Sequence, residues 1–436
     1  MERVRAILAP TPLPNVVKIS QSFPAERLAD PIQALREAMR ACPAIETIRP
    51  GMRVAVTVGS RGITMLPELT RAIVETIASR GAFPFIVPAM GSHGGATAEG
   101  QKELLTLLGV TEKSVGCPIN SSMETVHVGD LDNGMPVMLD KLAAQADGII
   151  IFNRIKPHNS FRADIESGLA KMLAIGLGKQ SGAHHCHSWG MQHMGELIEA
   201  MARMKLQRCK ILMAVGTVEN AYDEIARIPA YAPEAMIAGE KETLAYAKAS
   251  MPRLLLDPLD VLVVDKTGKE FSGGGLDANI VGTCAAGIVM SPARITRVAL
   301  LDVSDKSHGN ALGTALADIT TRRLFDKADF AAMYINALTS KIPAAGRMPM
   351  VLDNDRLAIQ AAVMTSTPKD IRAVRLMRVP NTLHLHEAYI SEALLGEAAR
   401  TSGIGILSAP GPMRFDDAGN LADGWGFAPS RERGNA

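Results

Sequence analysis

Short apolar runs alternate with helical patterns along the first part of the chain. Residues 53–58 (RVAVTV) predict a β-strand, and residues 66–80 then place apolar side chains at helical spacing before Gly81. A second apolar run at residues 83–87 leads into the loop 91–97 (GSHGGAT), after which helical spacing returns. The pattern therefore predicts two consecutive strand–helix units.

The same pattern continues through the middle of the chain. Residues 148–152 (GIIIF) predict a buried strand, residues 195–204 a helix and residues 210–215 a further strand. Alternation of this kind favours a parallel sheet covered by helices. Ligands bind in such sheets where strands pass into loops and helix N-termini. We therefore expect the loop 91–97 and the loop after residue 152 to share one crevice.

A domain boundary is predicted near residues 251–258 (MPRLLLDPL), where two prolines precede a new strand at 260–265. A glycine-rich loop (266–279), a strand (297–302) and two helices within 311–340 follow. We predict an α/β protein of two domains with mainly parallel, helix-covered sheets and an interdomain active-site cleft. The expected domains are 1–255, which binds the cofactor, and 256–436, with 408–436 packing back on the first domain or fraying.

Composition narrows the class of protein. The chain has 436 residues, of which 47% are hydrophobic and 21% charged, as in folded globular proteins. A net charge of +1 without runs of like charge gives no indication of nucleic-acid or membrane binding. The five cysteines lack any C-x-x-C spacing, and no secretory signal or membrane span is evident. We expect a cytoplasmic protein that acts on a small molecule.

Residues 153–193 concentrate candidate chemistry, because they contain five of the ten histidines. His158 follows an apolar strand, the usual position of a functional loop residue in α/β folds. His93 lies among Gly91, Ser92, Gly94 and Gly95, whose backbone N–H groups suit an anion. A satisfied loop histidine, or a histidine in a tight turn, is the simpler alternative for each.

Two cations and a histidine cluster complete the candidates. Arg61, in GSRG after the first strand, could bind a carboxylate bidentately or lie on the surface, and Lys171 could equally be a solvated lysine. His184, His185 and His187 are potential metal ligands. Adjacent histidines in an extended segment point apart, so one of the three is expected to bind metal.

The order of these motifs resembles the nickel-pincer-nucleotide lactate racemase family. GSHGG after a strand is followed by PHNSF, then by SGLAK with a glycine five residues and a histidine sixteen residues after the lysine. The resemblance implies that His93 and His158 are the catalytic acid and base and that Lys171 is joined to the nickel-pincer nucleotide. It implies His187 as the nickel ligand, with His184 and His185 as fallbacks, and cofactor-maturation enzymes as partners.

This chain also departs from the family pattern. The family has D-x-x-R-P after the first strand, and here Arg61 is kept whereas the aspartate is replaced. After LDAN (276–279), which resembles the start of the family's cleft loop, Val281, Gly282 and Thr283 stand where the family has substrate-binding residues. About three extra residues separate His158 from Lys171 relative to the family. Lys266 or Lys269 could supply a replacement cation.

The function implied is a racemase or epimerase of a 2-hydroxy acid other than lactate. Reversible hydride transfer to the cofactor requires a group that takes the hydroxyl proton and a second group on the other face, and two histidines near neutral pKa suit this. Arg61 would anchor the substrate carboxylate. Two alternatives are a zinc-dependent hydrolase that uses the HHCH cluster and a non-catalytic homologue that binds a nucleotide or hydroxy acid.

Overall fold

The computed structural model describes residues 1–422 and shows a mixed α/β protein with mostly parallel sheets flanked by helices, which confirms the predicted fold class. The chain forms two compact units, Pro24–Met251 and Met1–Phe23 together with the chain from Pro252 onward. We call these the inserted unit and the split unit. None of the helices within residues 1–422 is both long enough and apolar enough to span a bilayer.

The strands are numbered in chain order: β1 (Val16–Gln21), β2 (Arg53–Val58), β3 (Phe83–Pro88), β4 (Thr125–Asp130), β5 (Pro136–Asp140), β6 (Gly148–Arg154), β7 (Ile211–Glu219), β8 (Ile225–Arg227), β9 (Ala230–Tyr231), β10 (Leu259–Thr267), β11 (Ile295–Val303), β12 (Ile319–Thr321), β13 (Met350–Leu352), β14 (Leu376–Val379), β15 (Glu387–Ser391) and β16 (Ile404–Ile406).

The helices are α1 (Glu2–Leu8), α2 (Pro31–Ala41), α3 (Leu66–Ala78), α4 (Ala98–Leu107), α5 (Glu112–Val115), α6 (Lys141–Ala144), α7 (Leu169–Lys171), α8 (Lys179–His187), α9 (Met194–Arg208), α10 (Met236–Ser250), α11 (Ala278–Val281), α12 (Arg322–Lys327), α13 (Phe330–Thr339), α14 (Asp355–Thr365) and α15 (Leu395–Ala398). A π-helical turn, Met172–Gly176, directly follows α7.

The inserted unit is built on a six-stranded sheet with the order β3-β2-β6-β7-β8, to which β9 adds by pairing with β7. The pairs β3–β2, β2–β6 and β6–β7 are parallel. Five of the six residues of β2 are buried, as expected for a strand covered by helices on both faces. Because the strands are parallel, β2, β3 and β6 all end at the same edge of the sheet.

Two helices of the inserted unit, α2 and α4, begin at side-chain caps. Asp30 accepts a hydrogen bond from the N–H of Gln33 at the start of α2, and the Thr97 hydroxyl accepts from the N–H of Gly100 at the start of α4. The cap at Thr97 confirms the helix start predicted from the sequence. It also fixes the point at which the GSHGG loop ends.

The split unit contains an eight-stranded sheet with the order β13-β12-β11-β10-β14-β15-β1-β16. Strand β1 pairs antiparallel with both β15 and β16, so the first 23 residues belong to this unit rather than to residues 24–255. The alternating burial of β1 would suit either sheet, and the sequence pattern alone therefore did not show this assignment.

One expectation for the C-terminal half is corrected, and the structure describes part of the C-terminal segment. Residues 311–340 contain a 3-10 turn (Leu312–Leu316) and the buried strand β12 before the two helices begin at Arg322. For residues 408–436 we expect packing on the first domain or fraying; residues 408–422 lie in the split unit, where Gly411 bridges to Val16 and the Gly419 carbonyl accepts a hydrogen bond from the N–H of Arg356. Residues 423–436 lie outside the described part of the chain.

One side chain completes the sheet near the edge where β2 and β6 end. Backbone pairing of these strands stops at Val56 and Ile150, and the Thr57 hydroxyl then accepts a hydrogen bond of 2.9 Å from the N–H of Phe152. Both residues are buried. A buried N–H without a partner is costly, so Thr57 substitutes for the missing backbone acceptor.

We predict that Thr57→Val accelerates amide exchange of Phe152 by roughly ten-fold or more, because loss of a buried hydrogen bond costs about 1–3 kcal/mol. Thr57→Ser keeps the hydroxyl and is the matched control, in which exchange at Phe152 stays slow. Hydrogen exchange followed by NMR measures both variants. Equal protection of Phe152 in the two variants would contradict this role for the hydroxyl.

Candidate active site

Loops from three neighbouring strands leave the same edge of the inserted-unit sheet. They follow β2 (residues 59–62), β3 (89–97) and β6 (155–168). The N–H of Gly91 donates to the carbonyl of Gly176 (3.1 Å), and the Asn153 side chain donates to the carbonyl of Gly168 (3.0 Å). The π-helical turn after Lys171 is thereby bonded to the loop that carries His93.

The GSHGG loop needs its glycines. Gly91, Gly94 and Gly95 all have positive φ, a conformation that residues with a Cβ rarely adopt. A Cβ on Gly94 would also lie only 2.6 Å from the backbone of α4. The turn leaves the His93 side chain exposed, and its Nδ1 is hydrogen-bonded to the Ser60 hydroxyl from the loop after β2.

A buried lysine lies beneath the GSHGG loop. Lys179 is fully buried; its Nζ lies 3.2 Å from Asp140 Oδ2 and donates to the carbonyl of Pro88 (2.5 Å) and to Gln101 Oε1 (2.9 Å). The Gln101 amide in turn donates to the carbonyls of Gly91 (2.9 Å) and His93 (3.2 Å). The loop backbone is therefore fixed from below by Asp140, Lys179 and Gln101.

The ionisation of this pair depends on its burial. Burial lowers the pKa of Lys179 and raises the pKa of Asp140, and the attraction between the two groups opposes both shifts. Asp140 Oδ1 also accepts the N–H of Ala143 and so begins α6. Removal of either partner would leave a charge enclosed without its counter-ion, which is costly.

His158 is held by a buried carboxylate. Glu166 is fully buried and accepts a hydrogen bond of 2.7 Å from the backbone N–H of His158. It also forms ion pairs with Arg162 (3.0 Å) and Lys248 (2.7 Å). The His158 ring stacks on Phe161 with 4.4 Å between ring centres. Its Nδ1 accepts from the N–H of Ser160 at 3.1 Å. A backbone N–H can only donate, so the proton of the neutral ring lies on Nε2.

The pKa of His158 lies well below its usual value. Burial is the main cause, and the positive charges of Lys171, Lys156, His187 and Arg162 lower it further. The ring is therefore neutral at neutral pH. Because Lys171 and His187 act on this pKa, the structure brings both of these sequence candidates near His158.

Lys171 is the last residue of α7 and directly precedes the π-helical turn, and such turns are often found at functional sites. Its side chain is half-buried, and Nζ lies 6.0 Å from the centre of the Phe161 ring. Burial lowers the pKa of Lys171 to about 8; the charge of Arg61 lowers it further, whereas Cys186 and Glu166 raise it. A substantial fraction of the amine is thus neutral and nucleophilic near pH 8.

Arg61 lies at the end of the loop after β2, next to Ser60. The residue is exposed overall, yet loss of water around the guanidinium lowers its pKa, with a further contribution from Arg154. Its charge also acts on Lys171. These links connect the five sequence candidates. His93 contacts Ser60, the neighbour of Arg61, and the charge of Arg61 acts on the pKa of Lys171. Lys171 and His187 in turn act on the pKa of His158.

The histidine cluster is helical, which corrects the extended segment expected from the sequence. His184, His185 and His187 lie on α8, where residues three apart share a face and adjacent residues do not. His184 is exposed, His187 is partly buried, and the His184 and His185 rings meet edge to face with 5.9 Å between centres. Cys186 points into the core, 3.7 Å from the sulfur of Met194.

Within residues 1–422, no group of three or more His, Cys, Asp or Glu side chains is arranged to hold a metal ion. A zinc hydrolase site requires about three protein ligands. A cofactor that brings its own metal ligands requires fewer from the protein.

The lysines suggested as replacement cations lie in the split unit. Lys266 is exposed, whereas Lys269 Nζ donates to the carbonyl of Gly273 (2.9 Å) and to Asn336 Oδ1 (2.6 Å). The LDAN segment begins α11, where the Asp277 side chain accepts from the N–H of Asn279 at 2.9 Å. Lys269 is thus held by partners within its own unit.

Sequence reasoning missed the buried polar residues that hold the site. Lys205 on α9 and Glu240 on α10 are buried at positions that continue the apolar stripes of these helices. A charged residue in an apolar stripe is a detectable signal, because it places an ionisable group inside the protein. Glu166 and Lys179 lie in irregular or glycine-rich surroundings, where no such stripe exists.

We predict that Lys179→Met destabilises the inserted unit by about 3–5 kcal/mol, because Asp140 would remain buried without its counter-ion. Adding Asp140→Asn keeps the cap on α6 and removes the charge, so the double variant recovers part of the loss. Lys102→Met, at an exposed position, is the control and changes stability by less than about 0.5 kcal/mol. Chemical denaturation measures all three, and similar costs for Lys179→Met and Lys102→Met would contradict the structural role of the pair.

Part of the chain is similar to a known protein family. Residues 6–197 match the family model described as "Lactate racemase N-terminal domain", and all five candidate site residues lie within this range. No curated protein sequence matches the chain. The lactate racemase apoprotein from Thermoanaerobacterium thermosaccharolyticum is a similar solved structure, with 13% identity, 84% of this chain and 88% of that chain covered, and a TM-score of 0.46. Residues 6–197 are therefore similar to the N-terminal domain of lactate racemases.

Proposed function

We propose that the protein racemises or epimerises a 2-hydroxy acid by reversible hydride transfer to a nickel-pincer nucleotide. One observation carries the proposal: the loops after β2, β3 and β6 present Arg61, His93 and His158 from one edge of a sheet, and the charges of Lys171 and His187 act on the pKa of His158. The family match over residues 6–197 supports this class of reaction.

The residues present fit this cofactor. Lys171 has a lowered pKa, which favours the neutral amine needed for a covalent link, and partly buried His187 on α8 offers an imidazole of the type that binds nickel. Lys171 would tether the group and His187 would ligate its metal. The glycine-rich turn of Gly91, Ser92, Gly94 and Gly95 would contact its phosphate. When bound, the cofactor supplies reversible acceptance of hydride at the substrate carbon.

The other residues bind the substrate and transfer protons. Arg61 would pair with the substrate carboxylate in a bidentate geometry. A hydroxyl must lose its proton as hydride leaves the adjacent carbon, and His93, exposed and oriented by Ser60, would take this proton. His158 would face the substrate oxygen from the other side with Nε2. To act as a base there, the ring would move its proton from Nε2 to Nδ1 through solvent and give up the hydrogen bond from Ser160; Nε2 would then take the hydroxyl proton and return it when hydride comes back to the carbon.

The test is the purification of the full chain from a host that contains the cofactor-maturation enzymes. We expect nickel in elemental analysis and a nucleotide adduct on Lys171 by intact mass and peptide mapping. Lys171→Arg should abolish the adduct. Fully matured protein with unmodified Lys171 would contradict the tether.

Activity is measured by chiral chromatography on a panel of 2-hydroxy acids. We predict that His93→Ala and His158→Ala each lower kcat by roughly 10²–10⁴-fold, because each removes a proton-transfer group, while the adduct on Lys171 remains. His127→Ala, at an exposed histidine on β4, is the matched control and keeps full activity. Turnover that is unchanged in both active-site variants would refute the enzymatic proposal.

Isotopic labelling separates hydride transfer from proton abstraction. In D₂O, hydride transfer returns the original hydrogen to the substrate carbon, so the product contains no deuterium there. Deprotonation of that carbon would incorporate solvent deuterium. NMR of the product distinguishes the two results, and deuterium at that carbon would refute the hydride mechanism.

The pH dependence follows from the pKa of His158. Burial, the main cause of its lowered pKa, persists when a tether neutralises Lys171. Protonation of the ring therefore requires a pH below 6.5, and we predict that the acidic limb assigned to His158 in kcat/KM lies below this value. The limb should disappear in His158→Gln. A limb above pH 6.5 that this substitution removes would contradict the assignment.

A further inference from the structure

Lys171 is presented by a short backbone segment that two other helices hold from within the core. The segment consists of Gly168, the single turn α7 and the π-helical turn Met172–Gly176. A turn of three residues is not stable by itself, because helix nucleation costs more than one hydrogen bond returns. Contacts from outside the segment must therefore fix its conformation.

Glu240 on α10 holds the beginning of the segment. Its side chain is 1% exposed, and Oε2 accepts a hydrogen bond of 2.7 Å from the N–H of Ala170, one residue before Lys171. A Cβ on residue 168 would lie 2.1 Å from Glu240 Oε1, so the carboxylate requires glycine there. The buried Oε1 has no hydrogen-bond partner within residues 1–422. The bond to the turn therefore orients the carboxylate.

Lys205 on α9 holds the part of the segment that follows Lys171. It is fully buried, and Nζ donates to the carbonyls of Leu173 (2.8 Å) and Ala174 (3.0 Å) in the π-helical turn. Burial lowers the pKa of Lys205 to about 7. A neutral amine still has two N–H donors, which match the two carbonyls. These bonds persist whether or not the amine is charged.

No ion pair explains why Glu240 and Lys205 are buried. Within residues 1–422, Glu240 and Lys205 form no salt bridge, and both are buried without a direct counter-ion. Burial of such groups is unfavourable unless they make hydrogen bonds that apolar side chains cannot replace. The bonds they make are to backbone atoms on the two sides of Lys171.

We propose that Glu240 and Lys205 are positioning residues, which clamp the turn before and after Lys171 so that its amine faces the cofactor site. The role of Lys171 as the tether rests on the proposed function, whereas the clamp concerns the conformation of this chain alone. The cofactor-free full-length protein can therefore test it.

The test compares Glu240→Gln with Glu242→Gln, which makes the same change at an exposed position on the same helix. Burial raises the pKa of Glu240 to about 7, so the carboxyl is only partly ionised at neutral pH. In Glu240→Gln a neutral amide oxygen replaces this acceptor, and we predict about five-fold faster amide exchange in residues 168–177. Lys171 should also become more hydrated, so that the midpoint of its acetylation by acetic anhydride rises from about 8 by at least about 0.5 pH unit. Glu242→Gln should match the wild type in both measurements.

A second variant, Lys205→Met, removes the other half of the clamp. We expect faster exchange in residues 172–177 and the same upward shift for Lys171, with Lys102→Met as control. If Lys205→Met does not fold, the isosteric Glu240→Gln carries the test alone. An unchanged acetylation profile of Lys171 overturns the proposal, whatever the exchange rates. A shifted profile without faster exchange also overturns it, because the effect would then be one of charge and not of position.

The two proposals fail separately. Absence of a nickel adduct on Lys171 in matured protein would refute the tether and leave the exchange and acetylation results standing. Conversely, an adduct that forms normally on protein in which Glu240→Gln alters nothing would refute the clamp alone.

Discussion

The ion pair between Lys179 and Asp140 is the constraint on which the candidate site depends most directly. A cation enclosed at this depth must be paired and fully hydrogen-bonded, and Lys179 meets this requirement by binding the end of β3 and the amide of Gln101. The requirements of a buried charge thus determine the conformation of the loop that carries His93. The glycines make this conformation accessible, and the ion pair makes it the stable one.

In the candidate site, buried polar side chains hold the reactive residues by their backbone. Glu166 holds the backbone of His158, and Gln101 holds the backbone of His93. Each holds main-chain atoms, which leaves the reactive side chain able to meet a ligand. Such support gives a loop residue a defined position through its backbone.

The sequence predicted those parts of the structure in which local pattern and tertiary environment agree. The strands β2 and β6 and the capped start of α4 were evident because apolar periodicity and turn chemistry indicate the same boundaries. The resemblance singled out the candidate residues, and their proximity to one another could be expected from the shared edge of a parallel sheet. The helical state of the HHCH segment was missed, since its helix is polar and lacks an apolar stripe.

The supporting residues were harder to predict, because burial is a property of the whole fold. Nothing local distinguishes Glu166, which is fully enclosed, from a surface glutamate such as Glu242. The placement of β1 was missed for the same reason, since a strand of six residues does not specify its partners. Pairing over such sequence distances is determined by which edge remains free after the local units have formed.

The position of β1 has a consequence for the order in which the chain can fold. β1 is synthesised before its partners β15 and β16, and the whole inserted unit lies between them in the sequence. The inserted unit can complete its core while β1 is still unpaired on the nascent chain. The split unit closes only after synthesis reaches Ile406, so a fragment that begins at Pro252 would expose the edges of β15 and β16 to aggregation.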